Sequence, residues 1–282
     1  MRRTLVVNAD DLGLTVGVNN GIFDAHDRGI LTSASLMATA PAAANAIGRV
    51  RSRPALGIGA HLTLVDGAPM LPPDCVPTLV NDDGRFQHSW KPFIVACLMG
   101  RVSMAEVERE LTAQIECLTS QGIRLTHLDS HKHVHLYPPV FEIAARLAKR
   151  FGIPVVRVPY DGTPADLPLF LWAHHDYRSA AALGICTPQF VGRAMTGTMT
   201  AGALASAIRR LGPGQTELMA HPGYVDEELC QMPTRLLASR DAEVALLTSC
   251  EIVRLVAAED IQLVPHHREI DPASVRSSQH AA

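Results

Sequence analysis

Short apolar runs alternate with longer stretches of helical periodicity along the whole chain. Residues 4–7, 33–37, 57–64, 125–129, 155–158, 187–191, 217–220 and 262–264 read as strands. Between them, 18–28, 104–121, 139–151, 201–211 and 235–257 read as amphipathic helices. In 104–121, Val107, Leu111, Ile115 and Leu118 recur at helical spacing, while Glu106, Glu108 and Arg109 lie off that face. Strands alternating with helices build parallel βαβ units. Seven or eight such units predict an α/β fold: one TIM-like (β/α) barrel of 7–8 parallel strands spanning residues 1–270. No internal repeat is visible. Two insertions break the rhythm. Residues 65–101 are rich in Pro and Gly, and 161–183 carry an apolar patch beside His174 and His175. Connections of that length are more often functional than incidental. Residues 271–282 read as a disordered tail.

Composition narrows the function classes. A barrel of roughly 250 residues fits within the 282-residue chain. With 47% hydrophobic and 19% charged residues, the chain is too apolar for a disordered protein. A net charge of -3 argues against a nucleic-acid binder. No apolar run approaches the 18 or so residues of a membrane span. Arg2 and Arg3 precede only Leu5-Val6-Val7 before the acids at Asp10 and Asp11. That stretch is too short for a signal peptide, so a cytoplasmic protein is expected. Six cysteines without a CxxC pair are expected to be reduced core thiols.

The candidate chemistry falls at strand ends. After the first run comes Asn8-Ala9-Asp10-Asp11-Leu12-Gly13. Adjacent carboxylates repel unless a cation neutralises them, leaving one as ligand and the other as base. Alternatively, the pair is a turn that caps the next helix. His61, in Gly59-Ala60-His61-Leu62-Thr63-Leu64, is either a ligand or a satisfied core histidine. The segment Leu125-Thr126-His127-Leu128-Asp129-Ser130-His131-Lys132-His133-Val134-His135 is the strongest local signal. If extended, it sets 127, 129, 131, 133 and 135 on one face. Four imidazoles and a carboxylate there suit a metal site better than a core. Arg157, among apolar neighbours, must meet an anion or snorkel out. His221, before Pro222-Gly223, stands on a turn where an acid or base can face a pocket. Asp10, Asp11, His61, His131, Arg157 and His221 thus all lie at carboxyl ends of expected strands, the catalytic face of such a barrel.

The segments Asn8–Leu14, Gly59–Leu64, His127–His135 and His221-Pro222-Gly223-Tyr224 resemble the YdjC-type carbohydrate deacetylases, which include chitooligosaccharide deacetylases. The similarity runs from about Thr4 to about Leu263. Within the family, Leu64-Val65-Asp66-Gly67, Leu71-Pro72-Pro73, Gly84-Arg85-Phe86 and Val156-Arg157-Val158-Pro159-Tyr160 resemble the hopanoid biosynthesis-associated branch, HpnK. The resemblance implies that Asp11, His61 and His131 hold one divalent metal while Asp10 is the general base. His133 and His135 are then not needed, with His135 the next candidate ligand. By analogy with the broader polysaccharide deacetylases, Arg157 orients Asp10 and His221, protonated, is the acid.

The family is usually described with magnesium. Two imidazoles and a carboxylate suit zinc, iron or manganese better. The implied reaction is hydrolysis of an N-acetylglucosaminyl hopanoid to acetate and a free amine. The implied partners are a small-molecule or glycolipid substrate, with transient contact at the inner membrane surface. A homodimer is compatible with this reading. Three rivals are a deacetylase of soluble chitooligosaccharides, another metal hydrolase such as a phosphoesterase, and a non-catalytic sugar- or metal-binding protein. No GxxxxGK[ST] loop supports nucleotide chemistry. A binding protein needs no spare carboxylate beside its ligand, whereas a hydrolase does.

Overall fold

The computed structural model describes residues 2–161 and 167–266. Its strands are β1 (Arg3–Leu12), β2 (Ser33–Leu36), β3 (Gly57–Leu62), β4 (Leu125–Ser130), β5 (Val155–Val156), β6 (Gln189–Val191), β7 (Gly214–Ala220) and β8 (Gln262–Leu263). They pair in parallel in the order β5-β4-β3-β2-β1-β7-β6, with β8 on Thr4 and Leu5 at the foot of β1. A parallel bridge from Val155 to Cys186, just before β6, draws the two ends of that order together. The architecture is an α/β barrel.

Alternation along the strands separates two buried surfaces. Val7, Ala9, Ala34, Leu36, Ile58, Ala60, Leu62, Leu128, Leu218 and Ala220 belong to the apolar core beneath the helices. The other parity fills the barrel with polar groups: Asn8, Asp10, Ser35, His127 and Asp129 are all buried. They hydrogen-bond to one another. Asn8 Nδ2 donates to Asp10 Oδ1 (3.0 Å) and Ser35 Oγ (2.8 Å), and Ser35 Oγ donates to Asp129 Oδ2 (2.7 Å). Barrel interiors usually hold branched apolar side chains, so this one is specialised. Gly59 makes room for it, since a Cβ there would overlap the His127 ring.

The helices are α1 (Val16–Arg28), α2 (Ala43–Val50), α3 (Trp90–Leu98), α4 (Met104–Ser120), α5 (Pro138–Phe151), α6 (Leu167–Leu183), α7 (Ala201–Arg209), α8 (Glu227–Cys230), α9 (Ala238–Leu247) and α10 (Cys250–Ala258). Both expected insertions carry helices, α3 and α6. Their apolar residues obscure the usual one-sided pattern. The expected helix at 235–257 is two, because Ser249 caps α10 by accepting from the Ile252 amide (3.3 Å). Thr15, not the aspartate pair, caps α1. The core-thiol expectation holds for Cys97 only in part of the set: Cys117 and Cys186 are half-buried, while Cys75, Cys230 and Cys250 are exposed at turns and helix ends. All are free thiols. No helix among the described residues is long and apolar enough to cross a membrane. The expected tail, 271–282, lies outside the described residues.

Asp176 is fully buried on α6, with Oδ1 3.3 Å from His175 Nδ1 and Oδ2 unpartnered. Burial and the charge of Glu142 push its carboxyl up to about 9. The unfolded value is about 4, so between these limits the folded state holds a proton that the unfolded state does not. Stability from this group is complete below about pH 4 and is lost as pH rises through about 9. Asp176→Asn should therefore melt higher than wild type in thermal denaturation, with the gain growing from pH 5 to pH 9. A pH-independent difference would count against a protonated Asp176.

Candidate active site and metal centre

Adjacent residues on a regular strand face opposite ways, yet Asp10 and Asp11 both line one cleft. Two local features allow this. The register of β1 shifts between Ala9 and Leu12, and Asp11 takes a left-handed φ of 66°. The two carboxylates then acquire different cations. Arg157 grips Asp10 with Nη1 on Oδ2 and Nη2 on Oδ1, both at 2.7 Å. Burial favours the neutral acid, but the guanidinium outweighs it and holds Asp10 well below the usual carboxylate range. Asp11 Oδ2 accepts from Arg240 Nη2 (2.5 Å), and Oδ1 lies 3.0 Å from His131 Nδ1 and 3.4 Å from His61 Nε2. These three partners overcome burial and keep Asp11 ionised as well.

His61, at the end of β3, is oriented from behind. Its Nδ1 lies 2.8 Å from Asp129 Oδ1, which directs Nε2 toward Asp11. Burial disfavours its charge, but Asp129 and Asp11 push the imidazole up to about 10. The 127–135 segment is not continuously extended. β4 ends at Ser130, and His131–Leu136 form a 3-10 turn in which Lys132 and His133 have φ of 52° and 55°. This overturns the expected shared face. His131 reaches Asp11, while His133 sits beside Phe190 on the cleft wall. His135 turns inward between Ser130 Oγ (2.5 Å) and the Arg157 carbonyl (2.9 Å). His127 is engaged by Ser35 and Thr126 below the site.

His221 follows β7 at the rim, its Nε2 4.0 Å from Asp10 Oδ2 and its amide donating to Glu243 Oε2 (2.5 Å). Burial outweighs the nearby Asp10 and Asp11 and pushes His221 down to about 4. Burial therefore favours the neutral imidazole in the free site.

The site opens into a cleft of about 850 Å³. Trp90 and Ile94 of α3 and Leu169 and Trp172 of α6 line one wall. Val95, Leu98, Met99, Leu167, Phe170 and Leu171 continue the apolar surface outward and are exposed, whereas Phe93 is core.

Two sets of ligand atoms cluster within 4.8 Å among the described residues: Asp11, His61 and His131, and Asp10, His61 and Asp129. In the second set, Asp10 and Asp129 already bind Arg157, and Asp129 occupies the far nitrogen of His61. The first set leaves His61 Nε2 and an Asp11 oxygen turned toward a common point. One oxygen and two imidazole nitrogens fit a transition metal or zinc.

Five of the six expected residues line one cleft, and the sixth, Arg157, is buried against Asp10. The residues that support them were not singled out from sequence: Arg240, Glu217, Glu243 and, as a partner of both His61 and Arg157, Asp129. Arg240 lies in an amphipathic helix, where a lone arginine reads as solvent-facing. Glu217 carries a weak signal beforehand, a charge at the head of the apolar run Leu218-Met219-Ala220.

A model of the family described as YdjC-like protein matches residues 4–258. A carbohydrate deacetylase of Geobacillus stearothermophilus is 36% identical over 267 residues, covering 94% of this chain and 98% of that protein. A carbohydrate deacetylase of Brevibacillus brevis is 33% identical over 262 residues, covering 92% and 97%. Among solved structures, a protein from Enterococcus faecalis titled a putative cellobiose-phosphate cleavage protein superposes with a TM-score of 0.81 at 28% identity, covering 94% of this chain and 98% of that one.

The geometry gives the two aspartates different partners, Arg157 for Asp10 and the Arg240, His61 and His131 set for Asp11. Asp11→Asn and His61→Ala proteins, purified and measured by elemental analysis, should lose bound metal, while Asp10→Asn should retain it. A metal-free Asp10→Asn with a loaded Asp11→Asn would transfer the ion to the second set.

Proposed function

The chain belongs to the YdjC-like protein family, and we propose on that footing that it is a metal-dependent carbohydrate N-deacetylase acting on an N-acetylglucosaminyl substrate. One observation carries the reading: Asp10 is ionised, held by Arg157 beside the Asp11–His61–His131 cluster, and close to His221. A site that only grips an ion or sugar has no use for that second carboxylate.

Asp11, His61 and His131 would hold the ion. When bound, a divalent cation acidifies water and polarises a carbonyl. Asp10 takes a proton from the attacking water as the new carbon–oxygen bond forms. His221, neutral at rest, stands 4.0 Å from Asp10 Oδ2. It takes up that proton and passes it to the amide nitrogen as the carbon–nitrogen bond breaks. Acetate and a free amine leave, and both groups return to their starting states. Arg157 orients Asp10 and keeps it ionised between cycles.

The apolar wall supports a glycoside with a large apolar aglycone, and a hopanoid glycoside satisfies that description. Trp90 and Trp172 offer faces for rings, and the exposed residues of α3 and α6 extend the contact beyond the sugar. An enzyme of this kind would work in the cytoplasm and touch the inner membrane surface transiently. A soluble chitooligosaccharide needs no such wall.

Acetate release from N-acetylglucosaminyl substrates, with and without chelator, tests the activity. Turnover should vanish with chelator and return with added zinc, manganese or magnesium; chelator-resistant turnover would refute metal dependence. Phe170→Ser and Leu171→Ser should lower turnover of the hopanoid glycoside on the order of ten-fold while leaving that of chitobiose unchanged. Equal losses would remove the support for an apolar aglycone.

A further inference from the structure

Arg157 binds more than Asp10. Its Nε donates to Glu217 Oε1 (2.7 Å), Nη2 lies 2.5 Å from the same oxygen, and Nη2 also reaches Asp129 Oδ2 (2.9 Å). All four side chains are buried, Arg157 at 1% exposure and Glu217 at 0%. A guanidinium is a rigid plane with five N–H groups in fixed directions. Anchoring its Nε–Nη2 edge sets where the adjoining Nη1–Nη2 edge points. That adjoining edge holds both oxygens of Asp10.

Glu217 lies in β7 with Met219 between it and His221, so the two share one strand face, Glu217 deeper in the barrel. It touches neither the cleft nor the Asp11–His61–His131 cluster. Burial would neutralise it, but Arg157 keeps its carboxyl below the usual range. Behind it stands His266, whose Nε2 is 3.4 Å from Glu217 Oε2 and whose ring packs on His127 at 4.3 Å. A buried carboxylate in a strand is expensive unless its partner needs it. An apolar residue at 217 would fill the barrel at lower desolvation cost, but would release one edge of Arg157.

We propose that Glu217 is a positioning residue for the deacetylation: by fixing the Nε edge of Arg157, it holds the Arg157 plane against Asp10 in the two-contact geometry that the base requires. This rests on the deacetylase reading, and it assigns Glu217 no contact with substrate or ion. Its loss should therefore slow turnover while leaving substrate binding and the ion in place.

The test combines kinetics with chemical rescue. Glu217→Gln should lower kcat on the order of 10–100-fold, with KM and bound-metal content unchanged. In Arg157→Ala, added guanidinium ion should restore part of the lost kcat, because Glu217 and Asp10 still frame its place. In Arg157→Ala/Glu217→Gln the rescue should fail. Wild-type kcat in Glu217→Gln, or equal rescue of the single and double variants, would overturn the proposal. If Glu217→Gln does not fold, Glu217→Asp decides, because it keeps the charge but shortens its reach: reduced kcat at unchanged KM supports positioning, and wild-type kcat refutes it. A crystal structure of the Glu217 variant gives a readout without activity. Loss of one Arg157–Asp10 contact is expected, and an intact pair would overturn the proposal. A wild type that releases no acetate would instead defeat the deacetylase reading, whatever the crystal structure shows.

Discussion

The buried guanidinium of Arg157 is the interaction on which the barrel interior depends. Three carboxylates, Asp10, Asp129 and Glu217, converge on it from β1, β4 and β7. An ion pair taken out of water repays its desolvation only with close geometry and further hydrogen bonds. Here nearly every contact is at or below 3 Å, and Asn8 and Ser35 tie the carboxylates to one another. One cation against three anions still leaves an excess of negative charge. The raised His61 imidazole offsets part of it when no ion is bound. That surplus is the electrostatic condition under which a divalent cation, as proposed, would bind and displace a proton from its ligand.

The same requirement explains why the interior is polar along its length. A barrel normally closes on branched apolar side chains. Here Gly59 on β3 leaves the space that the His127 ring of β4 fills, and Ser35 on β2 bonds both Asn8 and Asp129. The apolar contacts that stabilise the fold lie outside the barrel wall, between strands and helices. Stability and chemistry therefore occupy opposite faces of the same strands, separated by the two-residue period.

That period governs how much was legible in sequence. Where it holds, strands, parallel order and the meeting of Asp10, His61 and His221 at one barrel end follow from local pattern. Where the backbone departs from it, pattern reasoning fails. The left-handed turns at Lys132 and His133 scatter imidazoles that alternation would align, so His135 becomes a backbone-bonded core group. Arg240 was invisible because only tertiary packing brings α9 over Asp11. The helices in the two insertions were obscured because one of their faces meets the cleft and another meets solvent. The lowered basicity of His221 could not be read either, since it follows from burial among neighbours distant in sequence.

Asp10 and Asp11 carry the argument furthest. Chemically they are identical and adjacent, so intrinsic pKa cannot divide their work. The division comes from the backbone kink, which turns each carboxylate toward a different cation. Asp10 has both oxygens committed to a planar guanidinium and Oδ1 also to Asn8, an arrangement that holds the carboxylate still with Oδ2 facing His221. Asp11 gives one oxygen to Arg240 and the other to two imidazoles, an arrangement suited to sharing an ion. A regular strand would send the two side chains to opposite faces and leave only one in the cleft. The left-handed backbone at Asp11 is thus the local condition for a cleft that both carboxylates line, as the proposed division into ligand and base requires.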